Sequence, residues 1–287
     1  MKKPVFSCSN VFDKRVTLHC HQYFENFLYM FYIQGVRKSL HILYREVTKI
    51  GMKINVLDVS FDYNGTSQTI NPVIIQDNET MILVDTGYPD QIELLEESAK
   101  QNDISLDKLT HIIITHHDYD HVGSLAALKR RFPHVKILAS RIEKEYIEKQ
   151  RKPLRLEQAE KIYPSLSEVD KEQALIFHKT LESVEGAEVN EVLENHQILP
   201  VGNGIEVVFT PGHTAGHISL YIKENKTFIA GDALVLIDDK LVIPYPHFAY
   251  DADKAKESLK HLFSYEIEEL ICYHGGLIKS NWKDLLS

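Results

Sequence analysis

Cysteine is scarce in this chain. Its 287 residues include three, Cys8, Cys20 and Cys272, and no Cys-x-x-Cys occurs. That excludes a disulfide framework. Long apolar runs are missing as well. The longest, Phe27 to Ile33, falls far short of the roughly 20 residues that cross a bilayer. No charged start, apolar centre and small-residue cleavage site marks a secretory signal. The expected location is therefore cytoplasmic, with no membrane partner. Positive charge is in deficit: 32 Lys and Arg against 41 Asp and Glu leave −9. That argues against a general nucleic-acid surface. A Gly-x-Ser-x-Gly elbow is absent too, so the chain is not a serine hydrolase of that kind.

Apolar residues are plentiful, at 44%, enough for a sizeable core in one large domain or two small ones. The most telling stretch is His111 to Gly123, HIIITHHDYDHVG. Its first half is the β-branched run of a buried strand. His116, His117, Asp118, Asp120 and His121 follow, and Gly123 closes the turn. An apolar-periodic helix comes next, through Leu125, Leu128 and Phe132. Strand ends that feed helices are where α/β proteins place ligands. Taken alone, Asp120 could equally cap that helix. Five such side chains at one strand end would strand one another without a cation. Imidazole with carboxylate suits zinc, manganese or iron.

Residues 1–51 differ from the rest. They hold eight Lys/Arg against three Asp/Glu, a balance of +5, whereas 52–287 holds 24 against 38, a balance of −14. This atypical segment is expected to be dispensable. From Met52 onward, strands are predicted at 53–61, 70–76 and 80–86, and a helix at 88–101. A polar helical insert is predicted over about 141–194, broken at Pro153 and Pro164. Lys149, Arg151, Lys152 and Arg155 cluster there, which suits a substrate with an acidic group. Further strands are predicted at 205–210, 218–222, 227–231 and 269–273. Candidate ligands follow three of these: His213, Asp232 and His274. Four strand ends carrying such residues point to one converging site.

The motif Thr115 to Gly123, THHDYDHVG, resembles the His-x-His-x-Asp-His signature of the metallo-β-lactamase superfamily of metallohydrolases. One position departs, Asp118 standing where the family has its second histidine. VDTG at 84–87, PGHTAGH at 211–217, AGD at 230–232 and YHGG at 273–276 follow the family order. The resemblance implies an α/β fold, a four-layer αβ/βα sandwich of two mixed sheets with outer helices. It also implies two divalent metal ions, zinc first, with manganese or iron as alternatives. His116, Asp118 and His213 would hold one, Asp120, His121 and His274 the other, and Asp232 would bridge them. Asp85 would orient a ligand without binding metal, and His217 would not be a ligand. The implied function is a metal-dependent hydrolase of a small-molecule ester, thioester or lactone. It would use a metal-bound hydroxide, with Asp120 orienting the water or taking its proton. The alternatives are a phosphodiesterase or nuclease, and a non-catalytic metal-dependent binding protein. A third carboxylate at Asp118 lowers the formal charge from +2 to +1, which predicts a weaker Lewis acid and a shift towards harder metals.

Overall fold

Apolar side chains alternate between the two faces of most strands, and that alternation fixes what must cover each sheet. The computed structural model describes residues 51–63, 65–244, 249–279 and 281–286. The atypical segment over 1–51 lies outside them except for its last residue. The first sheet orders β1 (Lys53–Val56), β4 (Val73–Gln76), β5 (Met81–Val84), β6 (His111–Ile113), β7 (Lys136–Ser140) and β8 (Glu191–Leu193). Strands β5 to β8 run parallel, and β4 is antiparallel to both its neighbours. The second sheet orders β16 (Gly276–Lys279), β15 (Glu269–Cys272), β12 (Thr227–Gly231), β11 (Ile218–Ile222), β10 (Ile205–Phe209) and β9 (Ile198–Leu199). It is antiparallel except between β12 and β15. Two hairpins stand apart, β2 (Val59–Tyr63) with β3 (Thr66–Ile70), and β13 (Val235–Ile237) with β14 (Lys240–Val242).

The strands sort their residues into three buried clusters. Ile75, Ile82, Val84 and Ile113 of the first sheet meet Val207, Ile218, Leu220 and Ile229 of the second. The next residue along each first-sheet strand points the other way. Ile74, Leu83 and Ile112 pack under α1 (Ile92–Gln101) and α3 (Leu125–Arg131), through Leu95, Ala99, Leu125 and Leu128. On the second sheet's outer face, Val208, Phe228, Leu270 and Cys272 meet Leu262 of α7 (Ala252–Leu262) and Trp282. Helix, sheet, sheet, helix is the expected four-layer sandwich. Each fully buried Leu or Ile contributes roughly 1.5–3 kcal/mol by leaving water. No helix among the described residues is long and apolar enough to cross a membrane.

Local chemistry redraws several boundaries. The strand expected over 53–61 is two strands. Asn71 donates to the Leu57 carbonyl at 3.1 Å and to Asp58 Oδ1 at 2.7 Å, tying down the bend between them. The strand expected over 70–76 is cut at Pro72, which has no N–H for a ladder. The helix expected from Tyr88 starts at Ile92, because Pro89 and a left-handed Asp90 (φ 62°) precede it. The polar stretch 141–194 contains α4 (Arg141–Ile147), α5 (Leu154–Ile162) and α6 (Glu168–Ser183). Its last residues belong to the sheet, since β8 pairs with β7. Short apolar pieces inside polar sequence carry too few residues to show that period.

Candidate metal centre

Both sheets deliver polar residues to one shared edge. Beyond β6 the chain turns through His116–Asp118 into the short helix α2 (Tyr119–Val122). His213 lies in the β10–β11 loop, Asp232 follows β12, and His274 follows β15. All seven predicted site residues come together there. His274 Nε2 stands 3.2 Å from Asp120 Oδ2, and His213 Nε2 stands 3.1 Å from Asp118 Oδ2. Asp232 occupies the middle, with oxygens 3.4 Å from His121 Nε2, 3.7 Å from His213 Nε2 and 3.6 Å from His274 Nε2. Two groups have donor atoms close enough to share an ion: His116, His213 and Asp232, and Asp120, His121 and His274.

Two of the imidazoles, His116 and His121, are held through Nδ1. His121 Nδ1 donates to Asp85 Oδ2 at 2.9 Å, which orients the ring with Nε2 towards the cluster. The Thr115 hydroxyl donates to the same oxygen at 2.7 Å and lies 3.1 Å from His116 Nδ1. Asp85 itself has φ 62° at the end of β5, as the VDTG turn requires. His116 Nε2, His121 Nε2, Asp118 Oδ1 and Asp232 Oδ1 are buried and meet no hydrogen-bond partner. Such atoms are costly unless something completes them. Convergent imidazole nitrogens and carboxylate oxygens fit a divalent cation.

Burial and the Asp85, Asp232 and Asp120 charges act in opposite directions on His121, and the charges win, holding it well above its ordinary pKa. Burial likewise opposes charge on Asp232, but His274 and His121 outweigh it and keep the carboxylate well below its usual range. His217 is a different case. Burial first, then His213, push it down to about 3, so it is neutral. Its Nε2 accepts the Asp232 backbone N–H at 3.0 Å, and its Nδ1 donates to Thr210 Oγ1 at 2.8 Å. Thr210 passes on to Ser219, 2.8 Å away, and Ser219 to the Ala230 carbonyl at 2.9 Å. His217 thus fixes the backbone that presents Asp232.

Three residues take roles around the cluster that the sequence does not reveal. Glu143 of α4 is fully buried and accepts from the His117 N–H and ring Nδ1, the Thr214 hydroxyl and the Gly216 N–H. Tyr273 donates from its hydroxyl to the Asp120 carbonyl at 2.6 Å. Arg155 of α5 places Nη2 2.5 Å from Asp118 Oδ2. In sequence Glu143 and Arg155 look like ordinary charges of a polar helix, and only the fold turns them inward. His117, the extra histidine of the motif, points away from the cluster and stacks on Tyr146, with ring centroids 4.0 Å apart. The basic cluster of the insert is largely matched within the chain: Arg151 meets Glu145, Lys152 meets Glu160 and Arg155 meets Asp118. Cys272 is buried against the outer core, and burial pushes its thiol up, so it is a packing residue.

Two facing sheets with histidine and aspartate gathered at one edge define a metal-site α/β sandwich. The chain belongs to the metallo-beta-lactamase superfamily, whose family model matches residues 66–274. It is 25% identical over 232 residues to "Probable metallo-hydrolase YflN" of Bacillus subtilis, covering 73% of this chain and 82% of that one. It is 24% identical over 173 residues to "Atrochrysone carboxyl ACP thioesterase" of Pseudocercospora fijiensis, covering 59% of this chain and 38% of that one. Among solved structures, the metallo-beta-lactamase family protein TTHA1429 of Thermus thermophilus matches with a TM-score of 0.61. The identity is 20%, with 80% of this chain and 76% of that chain covered.

Proposed function

We propose that the chain is a metal-dependent hydrolase of a small-molecule ester, thioester or lactone. Superfamily membership and the metallo-hydrolase relative support hydrolysis, and the thioesterase relative supports the acyl class. The observation that carries the reading is the ring of unpartnered buried atoms around Asp232. His116, His213 and Asp118 would hold one cation, Asp120, His121 and His274 the other, and Asp232 would serve both. Bound divalent cations would supply a water of lowered pKa and polarise the substrate's carbonyl oxygen. Asp85 and Thr115 hold the two imidazoles so that Nε2 faces inward. Asp120, held through its own carbonyl by Tyr273, would orient the attacking water and take its proton. Because three of the four insert cations already meet carboxylates of the chain, an acidic group on the substrate is not required.

The test pairs metal analysis with turnover. Purified protein is assayed for zinc, manganese and iron, then with p-nitrophenyl esters, thioesters, lactones and phosphodiesters. Turnover of acyl substrates that chelation abolishes and added metal restores is the expected result. Metal without acyl turnover, or preference for phosphodiesters, would overturn it.

A further inference from the structure

Asp118 stands where the family pattern has a neutral histidine, and a buried extra carboxylate needs a partner. The structure supplies one from the insert. Arg155 Nη2 lies 2.5 Å from Asp118 Oδ2, and both side chains are under a tenth exposed. Its other arm, Nη1, donates to Gln158 Oε1 at 2.8 Å, so the guanidinium is held from two sides. Asp118 Oδ2 also faces His213 Nε2 at 3.1 Å, while Oδ1 is buried and unpartnered. The oxygen that meets the arginine is therefore also the one that meets the cluster, since His116 Nε2 lies 3.7 Å from the same Oδ2.

The approach of Arg155 is arranged by the motif's extra histidine. His117 Nδ1 donates to Glu143, which leaves Nε2 to accept, and the Leu154 N–H donates to it at 3.3 Å. That contact fixes the start of α5 and sets the next residue, Arg155, over Asp118. Thus His117, next to a candidate ligand in sequence, works through the insert.

We propose that Arg155 and Asp118 form one electrically neutral unit at the first metal position, with Arg155 as a positioning residue whose charge lets an aspartate replace histidine. The inference rests on the metal-centre reading above. Formal charge agrees with it. Two divalent cations (+4) with Asp118, Asp120 and Asp232 (−3) leave +1, and Arg155 returns the total to +2. That equals the value for two carboxylates and a histidine. The weaker Lewis acid anticipated from the third carboxylate is thereby offset.

The test is a charge-swap cycle in the full chain, read as zinc affinity by competition with a chromophoric chelator. Asp118→His leaves Arg155 as an extra cation and should weaken zinc binding on the order of tenfold. Adding Arg155→Met to that variant removes the extra charge and should restore affinity to near the parent value. Arg155→Met alone should bind zinc no more weakly than the parent. Arg155→Lys, which keeps the charge, covers the case in which that single variant fails to fold, and should stay near the parent. If Asp118→His binds zinc as tightly as the parent, or the double variant is no better than Asp118→His, the pairing is overturned. A chain that binds no zinc in any of these forms would overturn the metal-centre reading itself, and the pairing with it.

Discussion

Glu143 Oε1 accepts the Thr214 hydroxyl at 2.7 Å, and that contact joins the first helix of the insert to the loop that carries His213. The same carboxylate reaches the His116–Asp118 turn through His117. One buried charge therefore holds two ligand-bearing loops from different sheets in register. Burial opposes its ionisation, but His117 and Thr214 outweigh that and keep its pKa below the ordinary value. Glu143→Gln places an NH₂ among hydrogen-bond donors. It should cost on the order of 3 kcal/mol, read as a lower urea midpoint of the metal-free protein. A midpoint unchanged within error would show that the loops hold themselves.

Asp232 stands between the two clusters, so its loss should affect both. Asp232→Ala is expected to lower metal content at both positions and turnover by roughly 100-fold or more. Asp120→Ala should do the same at the second. Full metal occupancy with normal turnover in either variant would remove that residue from the site.

Gly123 closes the signature turn for reasons of space. A Cβ there would lie 2.2 Å from the Pro89 nitrogen and 2.3 Å from the Tyr88 carbonyl carbon. Backbone cannot step aside cheaply. Gly123→Ala should destabilise by about 3 kcal/mol, the upper end for overpacking. Thermal unfolding checks it, with a drop of several degrees expected.

Acid stability should depend in part on Asp77, far from the metal cluster. Burial raises its pKa, but N–H groups of Gly202, Glu79 and Thr80 outweigh this and hold it below 3.8. A carboxyl depressed in the folded state stabilises above its unfolded pKa and loses that effect as pH falls through the folded one. The stability gap between the parent and Asp77→Asn should therefore be wide at pH 6 and shrink below pH 4. A gap independent of pH would contradict the assignment.

A chain beginning at Met52 should keep the melting temperature and metal content of the full chain. Met52 is itself buried in the core between the sheets and fills the space beside Gly202, so it must be retained. A loss of several degrees would make residues 1–51 part of the domain.

Residues that touch the cluster directly were legible in sequence because each follows a short β-branched strand and is chemically conspicuous there. His213, Asp232 and His274 needed no more than that. The layers were legible for the same reason: Ile74 and Ile75, or Ile112 and Ile113, face opposite cores in strict alternation. What sits one contact further out was not. Glu143 and Arg155 lie on helices whose exposed residues are equally charged, and no period separates an inward charge from an outward one. Strand breaks were missed where a side chain decides them, as Asn71 does for Leu57 and Asp58.

The Arg155–Asp118 contact also limits how this scaffold can be re-engineered. Exchanging helical inserts between relatives is an obvious route to new substrate ranges, since the insert is contiguous and its ends join ordinary strands. Here such a graft would carry off Arg155 and strand Asp118 inside the site, and would remove Glu143 from beneath both loops. A donor insert would need an arginine in register with position 155 and an acid in register with position 143, or the recipient would need histidine at 118. The insert and the centre of this chain form one heritable unit, and recombination that separates them should yield offspring whose ligand-bearing loops are less stable.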